Sequence, residues 1–141
     1  MKHTGMNKTM AMRLAVLLAG GIMAHSAFAC AFSWHHYGDD AVFKRIQSEI
    51  GKKVTDEYCK KYNDKYEIFI ATSSYMNKDE SLGHAIVGLR KRGTDNYPSK
   101  SMSAYRRKAG NFAIGLSYDL ATTAALEEVV DVMSDLDSYA K

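Results

Sequence analysis

The spacing of apolar residues changes twice along the chain, and this limits the fold more than any other feature. Val42, Phe43, Ile46 and Ile50 recur at helical spacing, and Val54, Tyr58 and Tyr62 continue at four-residue intervals. Gly51 lies between the two sets, so 40–62 reads as one helix bent at Gly51 or as two short ones, with Asp39 or Asp40 as N-cap. From Tyr66 the period is two. Tyr66–Tyr75 is β-branched and aromatic, 76–81 is a polar turn, and Leu82–Arg92 completes a hairpin. A weaker strand is expected over 99–108 and another over 112–118, where small Ala113, Gly115 and Ser117 oppose Phe112, Ile114, Leu116 and Tyr118. That small face is expected to accept a helix. The helical period returns with Leu126, Val129, Val130, Met133 and Leu136, capped by Thr122 or Thr123. Glu127, Glu128, Asp131, Asp135 and Asp137 occupy the rest of that helix. The expected fold is α+β: an antiparallel three- or four-stranded meander, with an N-terminal helical segment and a C-terminal helix packed on one face.

The first 29 residues stand apart from this pattern. Lys2, Lys8 and Arg13 precede an apolar run from Leu14 to Ala24, and Ala27 and Ala29 supply the small residues of a cleavage site. These are the three parts of a secretory signal. The apolar run is shorter than the roughly 20 residues that a spanning helix needs, so no transmembrane segment is expected. The reading is a cleavable signal peptide over 1–29 and a single small domain over 30–141, working in the periplasm or outside the cell.

Removal of the leader changes the electrostatics. The whole chain carries 19 bases and 16 acids, a net charge of +3, but three of the bases and none of the acids lie in the leader. The remaining domain is neutral. A nucleic-acid partner should require a basic excess to neutralise phosphates, so none is expected.

Both cysteines, Cys30 and Cys59, lie beyond the leader. An exported chain meets an oxidising compartment, and an even count points to a Cys30–Cys59 bridge. Its loop of about 30 residues would add roughly 3–4 kcal/mol in the chain-entropy account. Cleavage after Ala29 would also make Cys30 the first residue of the domain, so lipidation there is the competing outcome. Ala27 stands where a lipidation signal prefers a larger aliphatic residue.

Charge is unevenly distributed within the domain. Residues 90–108 carry seven bases against Asp95, whereas 119–137 carry six acids and no base. Arg90, Arg92, Tyr97, Tyr105, Arg106 and Arg107 are therefore the candidate binding residues, because Arg and Tyr are enriched at protein interfaces. The partner they imply is another protein with an acidic surface. The competing reading is a solvated strand pair whose bases face the chain's own acidic helix.

Catalytic and metal patterns are weaker. His35 and His36 are neighbours and point opposite ways in a strand, and no metal-ligand spacing surrounds them or His84, so neither metal nor cofactor is expected. His84 on a strand and a cysteine elsewhere could serve a small cysteine-dependent hydrolase, but Cys59 falls within a helix rather than at an N-terminus that would stabilise its thiolate. The function expected from the sequence is an exported, non-enzymatic binding protein that masks another protein, as inhibitors and immunity proteins do. A hydrolase using His84 and a lipid-anchored envelope component are the alternatives.

Overall fold

The computed structural model describes residues 30–110 and 113–141, so the leader lies outside the described residues. The elements run β1 (Trp34–Tyr37), α1 (Asp40–Glu49), a 3-10 turn (Ile50–Lys52), α2 (Asp56–Lys61), β2 (Tyr66–Met76), β3 (Glu80–Lys91), β4 (Ser101–Ala109), α3 (Ile114–Ser134) and α4 (Leu136–Tyr139). The strands form one four-stranded sheet in the order β1-β2-β3-β4. The fold is α+β, as the change of period implies.

Two elements depart from the sequence expectation. The strand expected over 112–118 is not found over 114–118, and its first residue, Phe112, lies outside the described residues. The additional strand is Trp34–Tyr37, which pairs parallel to β2 with Trp34 opposite Ile68 and Tyr37 opposite Ala71. The sheet is therefore mixed, with β2–β3 and β3–β4 antiparallel. A parallel neighbour needs a crossover connection, and α1 and α2 supply it. Residues 114–118 instead form the first turns of α3. Thr122 accordingly lies inside that helix, where its hydroxyl donates to the Tyr118 carbonyl at 2.8 Å instead of capping.

The first helical segment does divide near Gly51. The N-cap of α1 is Asp39, and Asp40 in its first turn complements the helix dipole. Thr55 caps α2, its hydroxyl accepting from the Tyr58 amide at 3.3 Å.

The core lies between one face of the sheet and the helices. Ile68 and Ile70 of β2 and Ala85, Val87 and Leu89 of β3 meet Val42 and Ile46 of α1, Tyr58 of α2 and Val129 and Val132 of α3. Each fully buried aliphatic side chain contributes about 1.5–3 kcal/mol. Tyr58 is buried to its hydroxyl, which donates to the Tyr66 carbonyl at 2.9 Å, and burial pushes that phenol well above its ordinary pKa.

α3 approaches the sheet closely at Gly83. A Cβ there would lie 2.0 Å from the Ala121 nitrogen and 2.4 Å from the Leu120 carbonyl carbon. Ala121, Ala124 and Ala125 make the facing surface of α3 small as well. The small residues that admit a helix are therefore Gly83 on β3 and the alanines of α3, rather than Ala113, Gly115 and Ser117.

A disulfide joins Cys30, just ahead of β1, to Cys59 on α2, with Cα atoms 5.9 Å apart. Asn63 reinforces the same junction by donating to the Ala31 carbonyl at 2.9 Å. Among the described residues no helix is long and apolar enough to cross a membrane.

Candidate binding face

Strand alternation divides the sheet into two faces. Ser81, Gly83, Ala85, Val87 and Leu89 of β3 are buried on the helix side. Leu82, His84, Ile86, Gly88 and Arg90 point the other way, where none of the described helices lies. Register places Phe69, Ala71, Ser73 and Tyr75 of β2 on this second face, with Ser101, Ser103, Tyr105 and Arg107 of β4. His35 and Tyr37 of β1 join them, because they pair with Phe69 and Ala71.

This face has two unlike halves. At one end the loop 92–100 folds back over the strands. A Cβ on Gly88 would meet the Lys100 carbonyl oxygen at 2.7 Å and the Pro98 ring at 2.8 Å, so glycine is what allows the loop to lie flat on β3. Tyr97 of this loop packs on Phe69 with ring centroids 4.7 Å apart, and Tyr37 flanks Phe69 at 5.3 Å. Together with Ala71, Arg90 and Asp95 these rings line a cleft of about 280 Å³. The other half is bare. Tyr75 and Tyr105 stand there 56% and 64% exposed. Half-buried Leu82, His84 and Ile86 are the cross-strand neighbours of Tyr75, Tyr105 and Ser103 respectively.

A buried ion pair supports the roofed half. Glu67 and Arg90 are opposite one another in the β2–β3 register and are only 5% and 4% exposed. Arg90 Nε donates to Glu67 Oε1 at 2.5 Å, and its Nη1 donates to the Tyr37 hydroxyl at 2.9 Å. The second carboxylate oxygen of Glu67 bonds His35 Nδ1 at 3.1 Å. The guanidinium carbon lies 5.7 Å from the ring centroids of both Tyr37 and Phe69. A buried pair with good geometry fixes an arrangement more than it adds stability, and loss of either partner would strand a charge.

The structure therefore separates the candidate residues. Arg90, which the charge pattern puts on a docking face, is buried, and its charge is matched by Glu67. Tyr97 lies with it in the cleft. Arg92 turns toward the connection between α2 and β2, donating to the Tyr66 carbonyl at 3.3 Å and to Asn63 Oδ1 at 2.6 Å. Arg106 is on the helix side of β4 and bonds Glu127 of α3, the opposition of charges that the solvated reading describes. Only Tyr105 and Arg107 share the bare half, and Nε of exposed Arg107 lies 3.0 Å from half-buried Glu80.

His84 lies beside Ser73 and Tyr105 on the bare half. The bridge occupies both sulfurs, so the thiolate that a cysteine-dependent hydrolase requires is absent. His35 and His36 do diverge. His36 bonds Thr72 Oγ1 at 2.7 Å on the helix side, where burial lowers its pKa. Among the described residues no three His, Cys, Asp or Glu side chains converge as a metal site.

Tyr37, Glu67, Phe69, Tyr75 and Asp95 belong to this face and are missed by a search for charge asymmetry. The available signal was the start of β2, where Ile68, Phe69 and Ile70 leave neither face polar. An apolar residue on both sides of a strand requires cover on both sides.

No protein-family model matches the chain, and no curated protein does so either.

Proposed function

We propose that residues 30–141 act in the periplasm or outside the cell as a non-enzymatic binding protein, which masks another protein with the uncovered face of its sheet. The observation that carries this reading is the bare half of that face. Tyr75 and Tyr105 are more than half exposed around Leu82, His84 and Ile86, on the side opposite all the described helices. Aromatic anchors around an apolar centre are what protein interfaces enrich. Arg107 at the margin gives the partner's acidic side chains a counter-charge. Its present bond to half-buried Glu80 lies at the surface, where such pairs are worth little, so a partner's carboxylate can replace it. A Cys30–Cys59 bridge supports an oxidising compartment. Use of Cys30 in the bridge also withholds the sulfur that a thioether-linked lipid would need.

The test is site-specific photocrosslinking in a cell that exports the protein. A photoreactive residue at position 75 or 105 is expected to give a discrete protein adduct. The same residue at position 44 on α1 is expected to give none. Arg107→Glu should weaken the adducts from 75 and 105. Adducts of equal strength from all three positions, or from none, would overturn the reading.

A further inference from the structure

We infer that the roofed cleft between Tyr37, Phe69 and Tyr97 is a binding site for a neutral saccharide, holding one pyranose ring. The inference stands on the cleft's own geometry and is independent of whether the bare half docks a protein.

Size sets the first limit. At about 280 Å³ the cleft is slightly smaller than the usual ligand site, room for one ring rather than an extended chain. Wall chemistry sets the second. Tyr37 is tilted 34° to Phe69 and Phe69 54° to Tyr97; Phe69 is buried as the floor, and the exposed parts of Tyr37 and Tyr97 rise from it as a curved apolar wall. The C–H face of a pyranose is apolar and carries weakly positive hydrogens, which suit the negative faces of aromatic rings.

The polar groups are few and lie around that wall. The bonds that hold Arg90 use Nε and Nη1, and Nη2 takes part in neither. The guanidinium is locked between two rings and a carboxylate, so little entropy would be lost when it donates to a ligand hydroxyl. Tyr37 accepts from Arg90 and keeps its own proton to donate. Asp95 supplies an acceptor from the loop. Donors and acceptors around an apolar wall match a ring whose hydroxyls are equatorial and whose face is apolar.

Charge decides between ligand classes. Arg90 is compensated by Glu67, and Asp95 adds a second negative group. An anionic ligand would face Asp95 with Arg90 already matched by Glu67 behind it, and a cationic one would sit against Arg90, which already lies near two of the three rings. A neutral, hydroxyl-rich ring meets neither penalty. Such a ring can come from a free oligosaccharide or from a polymeric envelope glycan.

The test is a titration of the isotopically labelled protein, followed by NMR, with maltotriose and with tri-N-acetylchitotriose. Choline and glucuronate serve as the cationic and anionic comparisons. Either trisaccharide at millimolar concentration should shift the Arg90 Nε–H signal and the amides of Phe69, Asp95 and Tyr97. Tyr97→Ala removes one wall from an exposed loop and should weaken binding about tenfold, with the rest of the spectrum unchanged. Lys44→Ala on the far side should leave the titration as it was. Cosedimentation with insoluble peptidoglycan distinguishes the sources: pelleting assigns the ring to a polymeric glycan, and shifts with the trisaccharides alone assign it to free saccharide. Absence of shifts with both sugars and of pelleting would overturn the inference, as would shifts produced only by choline or only by glucuronate. Sugar-induced shifts that survive Tyr97→Ala undiminished would overturn it too.

Discussion

Glu128 shows how far a single residue can depart from its pattern. Helical spacing puts it among the solvated acids of α3 and Val130 in the apolar stripe, yet Glu128 is 7% exposed and Val130 is 44% exposed. The helix is rotated so that Ala121, Ala124 and Ala125 meet the sheet, and this carries Glu128 inward with them. One of its carboxylate oxygens, Oε2, is buried without a hydrogen-bond partner. Desolvation, with a smaller contribution from Asp131 opposed by Arg106, raises its pKa above the ordinary value. The folded protein therefore holds this proton to higher pH than the unfolded chain does. The penalty is absent in acid, grows as pH rises past the unfolded pKa, and is complete above the folded one. Glu128→Gln is expected to raise stability by about 1 kcal/mol at neutral pH. The advantage should vanish in acid. Urea unfolding at neutral pH and below the ordinary carboxylate range checks both parts, and an equal gain at the two would contradict the burial argument.

At the scale of elements, the hairpin of β2 and β3 and the split near Gly51 were legible because local pattern and tertiary position agree there. The stretch 112–118 was not. Its alternation of large and small residues fits a strand, but nothing in the pattern states which neighbour will take the small side. Ile114–Tyr118 instead forms the first turns of α3, where Ser117 is buried and Tyr118 packs on the edge of the core while Ile114 is exposed. β1 was missed for the opposite reason. Its four residues, Trp-His-His-Tyr, show no alternation, and only the parallel partner beside it makes it a strand. The packing of α3 depends on Gly83, whose substituent would strike backbone atoms that no rotamer change can move. Gly83→Ala is expected to cost about 3 kcal/mol or more, since overpacking against backbone forces the helix away from the sheet. A thermal melt reads this directly. A wild-type melting temperature in the variant would mean that the helix lies farther from β3 than described.

For the whole molecule, the bridge between Cys30 and Cys59 closes a separation of 29 residues and ties the start of the sheet to α2. Reduction, or the Cys30→Ser/Cys59→Ser pair, is expected to cost about 3–4 kcal/mol, mostly by freeing the unfolded chain. Denaturant midpoints with and without reductant measure it, and the double variant should match the reduced protein. The candidate site was only partly readable at this scale. Arg90, Tyr97, Tyr105 and Arg107 do lie on one face of the sheet, whereas Arg92 and Arg106 do not. Seven bases within nineteen residues register as a cluster in sequence, but a strand sends successive side chains to opposite faces and a loop redirects the rest.

Local interactions were enough to specify the change of helical and strand periods, the α+β class and the pairing of the only two cysteines, because each depends on neighbours in sequence or on a count that allows one answer. Which face of the sheet the helices cover, where β1 pairs and which arginine is buried against Glu67 depend on residues dozens of positions apart. Those choices are made by burying apolar area and matching charge across the assembled fold, and no window of sequence contains both partners.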